Sequence, residues 1–112
     1  MTRPAFILFD GALVFGRNRS QPITPNDQGQ VSFDVEGTGT VTGTFTVEYS
    51  NRKVPDSGDV GWRADPLFTA VNPSAAVITA QVFPIGNIAV KHARLVFNLS
   101  SGSGTMTVRG AA

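Results

Sequence analysis

Val41-Thr42-Gly43-Thr44-Phe45-Thr46-Val47-Glu48-Tyr49-Ser50 alternates between two kinds of side chain. Val41, Gly43, Phe45, Val47 and Tyr49 fall on one side, and Thr42, Thr44, Thr46, Glu48 and Ser50 on the other. A period of two residues is what an extended strand places on opposite faces. The threonines suit the pleated outer face of such a strand. Upstream, Val31, Phe33 and Val35 alternate with Ser32, Asp34 and Glu36, and Gly37-Thr38-Gly39 supplies the positive φ angles that a tight hairpin between the two segments needs. Downstream, Leu95, Phe97 and Leu99 alternate with Arg94, Val96 and Asn98. The run Ser100-Ser101-Gly102-Ser103-Gly104 then turns the chain, and Met106 and Val108 return to the same core, which predicts a second hairpin.

Other segments extend the pattern. Ala76 to Phe83 predicts a further strand, closed by Pro84 and Gly86, while Ala89 to Ala93 breaks parity and marks a bulge or a strand entry. Arg17 to Gly29, with two Pro and no periodicity, predicts a surface loop, and a second long loop runs from Asn51 to Pro66. No window repeats an apolar residue at helical spacing without interruption by Gly or Pro. The fold class is therefore all-β: a β-sandwich of jelly-roll or immunoglobulin-like type, with about seven or eight short antiparallel strands and no substantial helix.

The N-terminus departs from this alternation. Ala5 to Phe9 and Ala12 to Phe15 are continuous apolar runs around Asp10-Gly11, itself a hairpin signal. Continuous runs imply burial on both faces. Two assignments fit: an inner pair of strands, or an arm buried against a neighbouring subunit. Residues 1–16 are accordingly set apart as an apolar hairpin or arm, and residues 17–112 as one β-sandwich domain; a chain of 112 residues has room for one core.

Composition narrows function mainly by exclusion. A net charge of +1 gives no bias toward nucleic acid or an anionic membrane. No apolar stretch approaches the length of a bilayer span, and Asp10 stops the Ala5–Phe9 run short of a signal-peptide core. The absence of Cys removes thiolate chemistry and Cys-ligated zinc, and a single histidine, His92, removes most nucleophile–base and multi-His metal schemes. The stretch Gly37 to Gly43 is spaced wrongly for a phosphate-binding loop and precedes no helix. Asp56, Asp59 and Asp65 lack the register of a calcium loop. Asn18-Arg19-Ser20 and Asn98-Leu99-Ser100 match glycosylation acceptors, a common chance match. No catalytic residue, cofactor or metal is expected. Arg occurs seven times and Lys twice, the bias of protein–protein contact surfaces. Trp62, alone in a charged loop, either caps one end of the sandwich or fills a partner's pocket.

The segment from Gly39 to Arg109 carries a resemblance. A strand of the type Val41-Thr42-Gly43-Thr44-Phe45-Thr46-Val47-Glu48-Tyr49-Ser50-Asn51, a loop leading to Trp62, and Ala93-Arg94-Leu95-Val96-Phe97 followed by Ser101-Gly102-Ser103-Gly104-Thr105-Met106-Thr107-Val108 resemble small β-sandwich structural proteins of bacteriophages. Such modules occur as decoration, spike, fibre or tail-associated proteins. The resemblance implies a non-enzymatic virion protein, assembled in the bacterial host cytoplasm, with other virion proteins and copies of itself as partners. It implies that Phe45, Trp62, Leu95, Phe97 and Met106 are core. The expected contact residues are Phe6, Leu8, Phe9, Leu13, Phe15, Arg17, Arg19 and Trp62. The alternative is a glycan- or host-receptor-binding module using Trp62 and the loop from Arg52 to Asp59.

Overall fold

The structure, a computed structural model, describes residues 5–68 and 70–112; the Met1–Pro4 part of the expected arm lies outside them. Nine strands and no helix are found among the described residues: β1 (Phe6–Ala12), β2 (Gly16–Arg19), β3 (Val31–Thr38), β4 (Val41–Ser50), β5 (Arg63–Ala64), β6 (Ala70–Ala76), β7 (Gln81–Ile85), β8 (His92–Gly102) and β9 (Thr105–Ala111). They form two antiparallel sheets. The first has the order β1-β9-β3-β7 and the second β2-β8-β4, with β5 and β6 together flanking β4.

The pairings nest. Strand β1 pairs with β9, β2 with β8, β3 with β7 and β4 with β6, as in one long hairpin folded from the whole chain. Rolling that hairpin adds the pairs β3–β9 and β4–β8 and closes two sheets. This is the jelly-roll member of the expected pair of sandwich types.

The nesting corrects the two expected hairpins. Strands β3 and β4 are not partners, nor are β8 and β9; each pair is joined by a corner that carries the chain from one sheet to the other. The glycines serve those corners. Gly39 adopts φ 78°, and a Cβ there would lie 2.4 Å from the Ser103 carbonyl oxygen; one on Gly104 would lie 2.1 Å from that of Thr38. The two corners therefore sit directly on one another.

The N-terminal ribbon is also revised. Asp10-Gly11 does not turn; both residues belong to β1, opposite Thr107 and Met106, because β9 supplies the backbone partners a turn would otherwise supply. The turn lies at Leu13–Phe15, and Gly16, at φ 92°, delivers the chain to the second sheet. Part of the expected loop after Arg17 is strand: β2 pairs with Val96–Leu99, and Ile23 bridges Ala93. Its apolar period is missing because Asn18 is the inward residue, its amide donating to the carbonyls of Val14, Gly16 and Phe97. The expected strand Ala76 to Phe83 is two strands, β6 and β7, split by a crossing at 77–80 where Ile78 is buried.

The core lies between the sheets. Phe33, Val35, Val41, Phe45, Val47, Leu95, Phe97, Met106 and Val108 are buried there, as the alternation predicts. The rings of Phe45 and Phe97 are 4.7 Å apart and tilted, a favourable aromatic arrangement. Gly43 makes that packing fit: a Cβ on it would approach the Phe97 ring to 2.6 Å.

Candidate functional site

Two regions stand out, and the first is the outer face of the second sheet. Parity puts Arg17 and Arg19 of β2, Arg94 and Val96 of β8, and Glu48 of β4 on this side, away from the core. Glu48 and Arg94 are directly opposite in the ladder. Loop 51–62 folds back across them and brings Asp59 and Trp62.

The contacts are dense. Glu48 Oε1 accepts from Arg94 Nη2 at 2.7 Å and Nε at 2.9 Å, and its Oε2 accepts from Arg17 Nη2 at 2.7 Å. Asp59 Oδ1 accepts from Arg17 Nη2 at 2.9 Å, Arg19 Nε at 3.0 Å and Arg94 Nη2 at 3.2 Å, while Oδ2 accepts from Arg19 Nη2 at 2.9 Å. The Arg94 guanidinium lies 4.1 Å from the centroid of the Trp62 ring. Arg94 is thereby 2% exposed and Trp62 5%. The Asp59 carboxyl is held well below the usual aspartate range, first by its hydrogen bond from Arg19 and then by the charges of Arg17 and Arg19.

Trp62 is thus neither an end cap nor an exposed contact. It is absent from the inter-sheet core cluster and packs on the outside of a sheet, its Nε1 donating to the Asp56 carbonyl at 2.8 Å. Covered by Arg94, it offers no free ring for stacking on a sugar. The three loop aspartates do not converge. Asp56 accepts from the Gly58 and Val60 amides, Asp59 meets the arginines, and Asp65 accepts from the Tyr49 hydroxyl at 2.7 Å. Burial and that bond push the Tyr49 phenol up. His92 Nε2 sits 3.1 Å from the Arg52 carbonyl oxygen, a structural tie.

The second region is one end of the sandwich. Four corners meet there: Leu13–Phe15, Gly39-Thr40, residues 77–80 and Ser103-Gly104. None carries a charge. Phe15 is 81% exposed with Val14 exposed next to it, and Val77 is exposed in the corner at the opposite edge of the same end. The opposite end differs: its loops hold Asp27, Arg52, Lys53 and Lys91.

The expected contact residues therefore divide. Phe6 and Phe15 are exposed; Phe9 is partly buried against the core; Leu8 and Leu13 are buried within this chain and are corrected from contact to core. They were misassigned because a ribbon that changes sheets at Gly16 buries alternate ends of itself in its own sandwich. Arg17 and Arg19 join the ionic cluster. Sequence reasoning missed Glu48, Asp59 and Arg94 as one group, and the net charge of +1 concealed that every described Lys and Arg except Arg109 sits on the second sheet or on loops joined to it. Comparison with protein-family models and with curated proteins finds no match to this chain.

Proposed function

We propose that the protein is a non-enzymatic structural component of a bacteriophage virion, a capsid decoration or spike subunit that assembles with copies of itself and with other virion proteins. The observation that carries this reading is the uncharged end of the sandwich, with Phe15 81% exposed. Removing such a surface from water costs no charge desolvation, whereas the charged opposite end would resist burial. Apolar area placed there contributes about 25 cal/mol per Å² buried. The jelly-roll topology supports the reading as an analogy, since capsid and lectin domains share it. Phe6 and Ile7, on opposite faces of the edge strand β1, are also exposed.

Sedimentation of the chain and of its Phe15→Asp variant tests this, together with co-sedimentation on phage particles that lack the protein. The wild type is expected to self-associate and bind particles. The variant is expected to remain monomeric with an unchanged melting temperature. A wild-type chain that stays monomeric and ignores particles overturns the proposal.

A further inference from the structure

Asp59 is an exposed carboxylate in an unusual setting: its side chain is 54% accessible, yet three guanidinium groups converge on it. Without it, Arg17, Arg19 and Arg94 would face the single carboxylate of Glu48, leaving two positive charges uncompensated on a partly desolvated face. Such a face demands one more anion. Arg94 cannot turn away to find it in water, because Glu48 and Trp62 fix it from two sides. The cradle is therefore preorganised for a carboxylate, and Arg19 grips both oxygens with its Nε and Nη2, the fork geometry suited to a planar group.

The carboxylate that fills it is loosely delivered. Among the described residues, every hydrogen bond from residues 53–61 to the sheet ends on the Asp59 carboxylate, and their other bonds stay within residues 53–62; the base of the loop is tied separately, Asn51 to Lys91 and Arg52 to His92. Gly58 and Gly61 flank Asp59 and Val60, and Gly61 adopts φ 78°, so the tip has pivots on both sides while Trp62 keeps its place. Val54 and Val60 are exposed on the same loop and offer apolar contact at the rim.

We propose that Arg17, Arg19 and Arg94 form a carboxylate-recognition site in which Asp59 is the resident occupant, and that an acidic side chain of a docking protein takes its place as the loop tip lifts. The resident occupant is itself a peptide aspartate, which defines the class of ligand. The site is separate from the uncharged end, so each can fail alone.

The test uses the full chain and its Asp59→Asn variant. The probes are acetate, phosphate at equal ionic strength, and a capped peptide of residues 55–61 carrying D56N, with the same peptide also carrying D59N as the carboxylate-free control. The variant is expected to melt lower than the wild type and to recover with acetate. It should bind the acidic peptide about tenfold more tightly than the wild type does, and the control peptide not at all. Adding Arg19→Gln to the variant should abolish both responses. In the wild type, excess acidic peptide should speed hydrogen exchange at the Ser57–Gly61 amides, a readout that stands even if the variant folds poorly. A variant indifferent to acetate and peptide, a stronger response to phosphate than to acetate, or unchanged exchange in the wild type would each overturn the proposal.

Discussion

Two Arg–Glu pairs bridge neighbouring strands on the outer faces of this sandwich, at nearly equal distances. Glu48 and Arg94 on the second sheet are 2.7 Å apart, and Glu36 and Arg109 on the first are 2.8 Å apart. The first pair lies under loop 51–62 and is buried; the second is open to water on both partners. Residue types and closest distance are shared; the first pair is directly opposite in its ladder and the second diagonal, and the larger difference between them is cover. Cover decides what each does: a screened pair in water contributes little, whereas a buried one must be complete, because either partner alone becomes an unpaired charge.

Breaking the buried pair should therefore give the largest effect. Arg94→Met leaves Glu48 buried with Arg17 alone and removes the cation beneath Trp62. It is expected to cost about 3–5 kcal/mol in urea unfolding followed by circular dichroism. The double variant Arg94→Met/Glu48→Leu should cost clearly less than the sum of its single changes, because it removes the stranded charge along with the pair. A fully additive double variant would show that cover is not the reason for the difference.

Next comes the cover itself. Trp62→Ala opens the loop's only buried apolar anchor and exposes Arg94 to water; it is expected to cost about 3 kcal/mol. Its sharper consequence is for the comparison. With the lid gone, the Glu48–Arg94 pair should behave more like Glu36–Arg109, so Glu48→Gln should cost less in the Trp62→Ala background than in the wild type.

The same contrast explains what could be read from the chain. Strand β3 was legible because its outer face is solvated: Ser32, Asp34 and Glu36 had only to be polar. Strand β8 was legible only on its inner face. From Ala93 to Phe97 it is buried on both sides, and Val96 at an outward position was the one local hint that something lies above it. The partners that lie above are far away in the chain, Glu48 and Arg94 being 46 positions apart, so no window contains the cluster. The hairpins failed for a related reason. A glycine turn has the same residues whether its strands pair side by side or face each other across a core, and only non-local pairing, β1 with β9 and β2 with β8, decides between them. Jelly-roll topology therefore had to come from the structure, while the sandwich itself was in the alternation.

Acid distinguishes the two faces more gently. The Asp59 carboxyl is held below its ordinary value of 3.8, so its stabilising contribution is fully present above that value and is lost as pH falls through the folded-state value beneath it. Trp62 fluorescence is therefore expected to stay constant from neutral pH down to the ordinary aspartate value of 3.8 and to change only in stronger acid than that, as the loop tip leaves the arginines. A transition at milder pH would mean that the loop is held by something other than Asp59.

The smallest expected effect is on the first sheet. Arg109 lies diagonally across the ladder from Glu36, Asp34 being its direct neighbour, and the guanidinium is raised above its ordinary value mainly by the bond to Glu36. That shift describes a group already charged at every physiological pH, so it adds no pH dependence in the working range. Both side chains are accessible, and water and salt replace whatever the partner supplied. Arg109→Ala is therefore expected to leave the urea midpoint unchanged within error at physiological salt, and to lower it detectably only at low ionic strength. A loss comparable to that of Arg94→Met would mean that the outer face of the first sheet is also covered, by a neighbouring copy present in the sample; dilution would then abolish the difference, as it would for no intramolecular contact.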